Sequence, residues 1–139
     1  ENLVEVKNYA GKGFQSLVSF ESWRVAVLRY LDDVDPAKIS ALERHTQTDE
    51  VFILLEGRGL LFTAGNNTTP NNFVSYPMKF GEIINIKKWT WHTLALSTDA
   101  HLVIIENENT SATNTEYANI LASDLENART LAKDIIFNA

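Results

Sequence analysis

Apolar residues recur along most of the chain in short bursts broken by Gly, Asn, Asp or Pro, the rhythm of strands joined by tight turns. Leu3-Val4-Glu5-Val6 and Phe14–Phe20 read as weak strands around a turn at Gly11 and Gly13. Trp23–Tyr30 has the β-branched and aromatic content of a strand, which Asp32-Asp33-Val34-Asp35-Pro36 ends as a solvated turn. Pro36 and the lack of a glycine at the sixth position argue against a calcium loop there. From Ile39 the chain runs to His45, turns over Thr46–Asp49 and enters Val51–Leu55, an unbroken apolar run that predicts a buried strand. Gly57-Arg58-Gly59 predicts a hairpin with Leu60–Ala64 returning, and the Asn-rich stretch 65–72 reads as a loop. Phe73–Met78, Gly81–Ile86, Trp91–Leu96 and His101–Ile105 bring the count to about nine strands before residue 108, the pattern of an antiparallel sandwich or barrel.

Beyond the polar break at 107–113 the period changes. Tyr117, Ile120, Leu121, Leu125, Ala128, Leu131, Ala132, Ile135 and Ile136 recur at helical spacing, and Thr113-x-x-Glu116 reads as a capping box. Together they predict an amphipathic helix over about 114–137. Its apolar face needs a surface, either the outside of the β structure or the same helix of a second subunit.

At 139 residues the chain accommodates one core, so 1–139 is expected to be a single domain with its β part over about 1–108. No apolar run approaches the roughly 20 residues that cross a bilayer, and the opening Glu1-Asn2-Leu3-Val4-Glu5 lacks the regions of a signal peptide. With no cysteine for a disulfide framework, a cytoplasmic protein without a membrane partner is expected. A formal charge of -6 and basic pairs that form no stripe exclude a nucleic-acid surface. The N-x-Ser/Thr matches at Asn66, Asn67 and Asn109 read as accidents of polar loops.

Two fragments carry candidate chemistry. His45 and Gln47 are two apart, so in an extended strand they share a face; Asp49 keeps that parity, whereas Glu50 needs a turn or bulge to join them. His92 leads an alternation with Leu94 and Leu96, and an imidazole on a buried apolar face needs a partner: a metal, a carboxylate or a hydroxyl. Trp91 falls on the opposite side and reads as packing, Asp49 as a turn residue, Lys87 and Lys88 as solvated, and His101 as structural. Trp89 is left open between packing and stacking on a sugar.

These fragments resemble the two motifs of the cupin superfamily, whose members fold as jelly-roll, or double-stranded β-helix, barrels. The first motif runs H-x-H, three or four residues, E, six residues, G. His45 is set against its first histidine, Gln47 against the second, Glu50 against the acid and Gly57 against the glycine. On that alignment Gln47 replaces a histidine and only two residues separate it from Glu50. The second motif is matched loosely, from Gly81 to His92, with Lys87–Trp89 where proline and glycine are usual.

The resemblance, over roughly residues 39–105, implies a mainly β cupin-type barrel with a C-terminal amphipathic helix. It implies one divalent metal (Zn, Mn, Fe, Co or Ni) on His45, Gln47, Glu50 and His92, acting as a Lewis acid on a small polar substrate such as a sugar, sugar acid or keto/hydroxy acid. The alternative is a metal-free cupin that binds or senses a small molecule, with His45 and His92 a hydrogen-bonded pair in its pocket; a purely structural or assembly role is the third reading. A homodimer is expected.

Overall fold

The computed structural model describes residues 3–138, so Glu1, Asn2 and Ala139 of the expected domain lie outside the described residues. Ten strands form two five-stranded antiparallel sheets. Phe14–Phe20 (β1), Trp23–Arg29 (β2), Glu50–Glu56 (β4), Ile84–Ile86 (β7) and His101–Asn107 (β9) make one sheet, in the order β1-β2-β9-β4-β7. Ala41–His45 (β3), Gly59–Thr63 (β5), Val74–Pro77 (β6), His92–Leu96 (β8) and Thr115–Asn119 (β10) make the other, in the order β10-β3-β8-β5-β6. Non-sequential neighbours such as β2 with β9 and β3 with β8 wrap the chain across both sheets, which is what closes a jelly roll.

The sheets meet over a core drawn from both, including Ala26, Phe52, Leu61, Leu94, Leu102 and Ile104. Each fully buried side chain of this size contributes about 1.5–3 kcal/mol. The period of two along each strand decides what faces inward. On β4 the inward set is Glu50, Phe52 and Leu54; on β8 it is His92, Leu94 and Leu96, with Ala95 buried on the other face; on β9 it is Leu102, Ile104 and Glu106. Register aligns these stripes, because Phe52 pairs with Ile104, Leu54 with Leu102, and Arg24 with Glu106. The barrel interior is therefore apolar for most of its depth and polar at one end.

At the β4–β5 hairpin Gly57 is required: its φ is 77°, and a Cβ there would lie 2.6 Å from the Cα of Ala100. The turn after β2 contains a short 3-10 segment, Asp32–Val34, that buries Val34, and Asp35 accepts hydrogen bonds from the Tyr30 hydroxyl and the Ala37 amide.

Two expectations are corrected. Leu3–Val6 forms no strand; Leu3, Val4 and Val6 are 89%, 79% and 80% exposed, and no sheet edge pairs with them. The helix, α1, spans Ala122–Asn138 and begins later than about 114. Residues 115–119 instead pair with β3, Tyr117 opposite Glu43, so the apolar spacing of Tyr117 belongs to a strand. The capping box also shifts: Ser111 and Asn114 close it over the 3-10 turn Ala112–Asn114, in place of Thr113 and Glu116.

Ala128, Ala132 and Ile136 are the buried face of α1, and Ala128 and Ala132 pack against Ile39, Leu60, Phe62 and Ala95 on the outside of the second sheet, where Arg129 Nε donates to the carbonyl of Ile39 at 3.0 Å. The helix thus covers its own chain's sheet. Among the described residues no helix is long and apolar enough to cross a membrane.

Candidate metal centre

Four donors converge at the polar end of the barrel. Glu43 and His45 come from β3, Glu50 from the first position of β4 and His92 from the first position of β8, and one ligand atom from each lies within 4.8 Å of the others. Glu50 Oε1 is 3.1 Å from His45 Nε2 and 3.0 Å from His92 Nε2, while Glu43 Oε1 is 3.6 and 3.8 Å from the same two nitrogens. Donors held about 2.1 Å from one ion stand about 3.0–3.4 Å apart at tetrahedral or octahedral angles, so these spacings suit a shared cation after small side-chain movements.

The imidazoles are oriented for that task. His92 Nδ1 donates to the carbonyl of Thr90 at 3.0 Å, which places the proton of a neutral ring on Nδ1 and a lone pair on Nε2. Nε2 of this buried ring has no hydrogen bond of its own, despite its closeness to Glu50. His45 Nδ1 is engaged at 2.9 Å by the Thr115 hydroxyl of β10 and Nε2 by Glu50. The rings stand 5.4 Å apart between centroids. An orphaned buried nitrogen beside two carboxylates fits a divalent ion of mixed nitrogen and oxygen preference.

Electrostatics couple the group. Burial works to lower both imidazoles, but the adjacent Glu50 carboxylate outweighs it and leaves His45 and His92 above their ordinary value. Burial would raise Glu50, yet the two rings hold it well below the usual carboxylate range. Glu106, on the same inner face, goes the other way. Burial, then the charge of Glu50 and a close carboxyl–carboxylate approach to it, push it up to about 7, against the opposing pull of Arg24.

Glu106 Oε2 accepts from Arg24 at 2.7 and 3.2 Å, and Oε1 is buried without a hydrogen-bond partner, 3.9 Å from His45 Nε2. Arg24 also donates to the carbonyls of Glu108 and Thr110 and lies 5.0 Å from the Phe14 ring. The cluster opens into a cavity of about 600 Å³ whose walls include Phe14, Leu28, Phe52, Leu94 and Tyr117.

Of the residues singled out in the sequence, His45, Glu50 and His92 come together. Gln47 does not join them: it is exposed beyond the end of β3, and its side-chain carbonyl faces the amides of Asn109 and Asn114 at 3.4 and 3.5 Å. The strand ends at His45, so the parity that would carry Gln47 inward is lost in the turn. That turn also decides between the two acids. Glu50 faces in, and Asp49 faces out to accept from the Lys88 amide and Asn85.

Glu43 takes the place assigned to Gln47. With Glu43 set against the first histidine of the motif and His45 against the second, four residues precede Glu50 and six precede Gly57, which restores the full spacing. Trp91 is buried as expected, and Trp89 belongs to packing too: Arg44 lies 4.4 Å from the Trp91 ring and 5.0 Å from that of Trp89. Arg44 points away from the cluster to Glu116, with Nε–Oε1 at 2.7 Å, and donates to the carbonyls of Asn66 and Asn67. The Trp89 amide donates to the carbonyl of His45 at 2.8 Å, tying the second motif to the first.

No family model and no curated protein matches the sequence. Solved structures do match it. The chain is similar to the capsular polysaccharide assembling protein CapF from Staphylococcus aureus, with 15% identity and a TM-score of 0.58 over 81% of this chain and 31% of that one. It is similar over most of their length to two smaller proteins: Streptomyces PAC13 solved with uridine (9% identity, TM-score 0.53, 85% of this chain and 88% of that one) and KdgF from Halomonas sp. (11%, 0.53, 72% and 81%). Another structure of CapF contains the inhibitor 3-isopropenyl-tropolone. The chain spans about a third of the length of CapF. The likeness and the two five-stranded sheets give this chain the cupin fold, mainly β with one C-terminal helix, and its inner end carries a His/Glu cluster able to hold a metal.

Proposed function

We propose that the protein is a metal-dependent cupin that holds one divalent ion on Glu43, His45, Glu50 and His92 and acts on a small polar ligand in the adjoining cavity. The observation that carries this reading is the convergence of the four donors, with both Nε2 atoms turned toward two carboxylates. The cavity volume lies within the range of small-molecule sites. Uridine with one structural neighbour and a tropolone inhibitor with another support a small-molecule ligand. A sugar, sugar acid or keto/hydroxy acid, with oxygens able to reach the ion, remains the class proposed.

When bound, the ion would supply Lewis-acid polarisation of a ligand oxygen. The chain's own residues do the rest. Thr90 and Thr115 orient the rings, Glu50 sets their charge, and the apolar walls of Phe52 and Leu94 exclude water from one side. Metal analysis of untagged protein, beside a His45→Ala/His92→Ala variant, tests the reading; the absence of stoichiometric metal from the unmutated protein overturns it.

A metal-free binding cupin draws support from Glu50, whose Oε1 is hydrogen-bonded to His45 Nε2 at 3.1 Å and lies 3.0 Å from His92 Nε2 without an ion. That reading predicts thermal stabilisation by metabolites that persists in chelator. A homodimer stays part of the proposal, now through the exposed β1–β2 edge with Phe20 and Trp23, since α1 buries its face on its own sheet. A monomeric mass by light scattering refutes it.

A further inference from the structure

We propose that Glu106 is a fifth protein donor to the ion, through its free oxygen Oε1, and that its presence biases the site toward Mn(II) over Zn(II). The inference rests on the metal reading above and extends it to a residue that neither cupin motif contains. Three observations support it. Glu106 Oε1 is buried and unpartnered, and a carboxylate oxygen left so in a folded interior is costly unless something else satisfies it.

The geometry brings Oε1 close to one assigned donor: it lies 3.9 Å from His45 Nε2, against 3.6 Å for Glu43 Oε1. Unlike Glu43 it has no such contact with His92 and stands outside the four whose ligand atoms all lie within 4.8 Å of one another, so it must swing inward to share an ion. Arg24 fixes which oxygen is free. Both its contacts go to Oε2, while its other nitrogen reaches the Glu108 carbonyl, so the guanidinium anchors the carboxylate and leaves Oε1 directed to the cluster.

The charges agree. Glu43, Glu50 and Glu106 line one cavity beside the two imidazoles, with Arg24 paired to Glu106, an arrangement that a dication neutralises. A set of two imidazoles and three carboxylates is richer in oxygen than zinc prefers and exceeds four donors, which favours an ion at home with oxygen ligands and higher coordination.

The test is competitive titration of unmutated protein and Glu106→Gln with Mn(II) and with Zn(II) against a chromophoric chelator. Gln keeps an acceptor for Arg24 and removes the charge. The expected result is a loss of Mn(II) affinity of about 10- to 100-fold, with a smaller loss for Zn(II). Unchanged Mn(II) affinity, or equal losses for both ions, overturns the inference, as does a drop in thermal stability alone, which is what a merely structural partner of Arg24 would give. Should Glu106→Gln not fold, Glu106→Asp retains the charge, draws the oxygen back and is expected to weaken Mn(II) in the same selective way. If unmutated protein binds neither ion, the metal reading itself has failed, an outcome distinct from the variant matching the parent.

Discussion

The molecule contains two arginine–glutamate pairs built on one plan and put to different use. Arg44–Glu116 lies on the outer side of β3, and Arg24–Glu106 on the inner side of β2 and β9. In each, the guanidinium grips a single carboxylate oxygen and donates to two loop carbonyls, and it rests near aromatic rings: Phe14 for Arg24, Trp89 and Trp91 for Arg44. The second carboxylate oxygen separates them. The Glu116 side chain is 48% exposed and water can serve it; that of Glu106 is 3% exposed and its spare oxygen lies 3.9 Å from His45 of the His/Glu cluster. The same ion pair is thus complete on one face of the sandwich and leaves a buried oxygen unpartnered on the other.

Removing the arginines should separate the two pairs most. In metal-free protein Arg24→Met strands a buried carboxylate beside Glu50 and is expected to cost about 3–5 kcal/mol by urea denaturation. Arg44→Met loses packing between two tryptophans but leaves Glu116 free to turn to water, for about 2 kcal/mol, without altering metal affinity. A larger cost at Arg44 than at Arg24 would break the comparison. Glu116→Gln should change stability by less than about 1 kcal/mol, as an exposed carboxylate allows.

The smallest effect is expected at Asp49, the outward neighbour of Glu50. The Lys88 amide and Asn85 hold its carboxyl below the ordinary value, so its contribution is present above that value and is lost as the pH falls through the lowered one. Asp49→Asn should be slightly less stable than the parent at pH 7, with the gap closing as the pH falls below about 4. A gap that stays constant with pH would show that charge at Asp49 is irrelevant.

The barrel was legible because its strands alternate or run apolar between turn residues, and Gly57 anchors a motif whose spacing is fixed by geometry. The site was half legible. The sequence names His45, Glu50 and His92, but leaves the register of the first motif ambiguous by two residues, because an acid at position 43 looks like any exposed strand residue and Gln47 falls two residues after His45, at the H-x-H spacing. The intact four-residue and six-residue gaps from His45 to Gly57 were the signal that would have corrected it.

Glu106 was invisible for another reason. It needs β9 to run to Asn107, two residues past where the apolar pattern stops, and a partner, Arg24, that is 82 residues away. The last segment misled through its local chemistry. Residues 113–116 imitate a helix start, and only pairing with β3 makes 115–119 a strand.

The four donors differ in access as well as in kind. All four line the cavity, but His45, Glu50 and His92 are buried, whereas the Glu43 side chain is 41% exposed. Were an ion held here, Glu43 would be the donor freest to swing into water, and exchange would depend on that one side chain more than on the three buried donors that the two sheets hold in place.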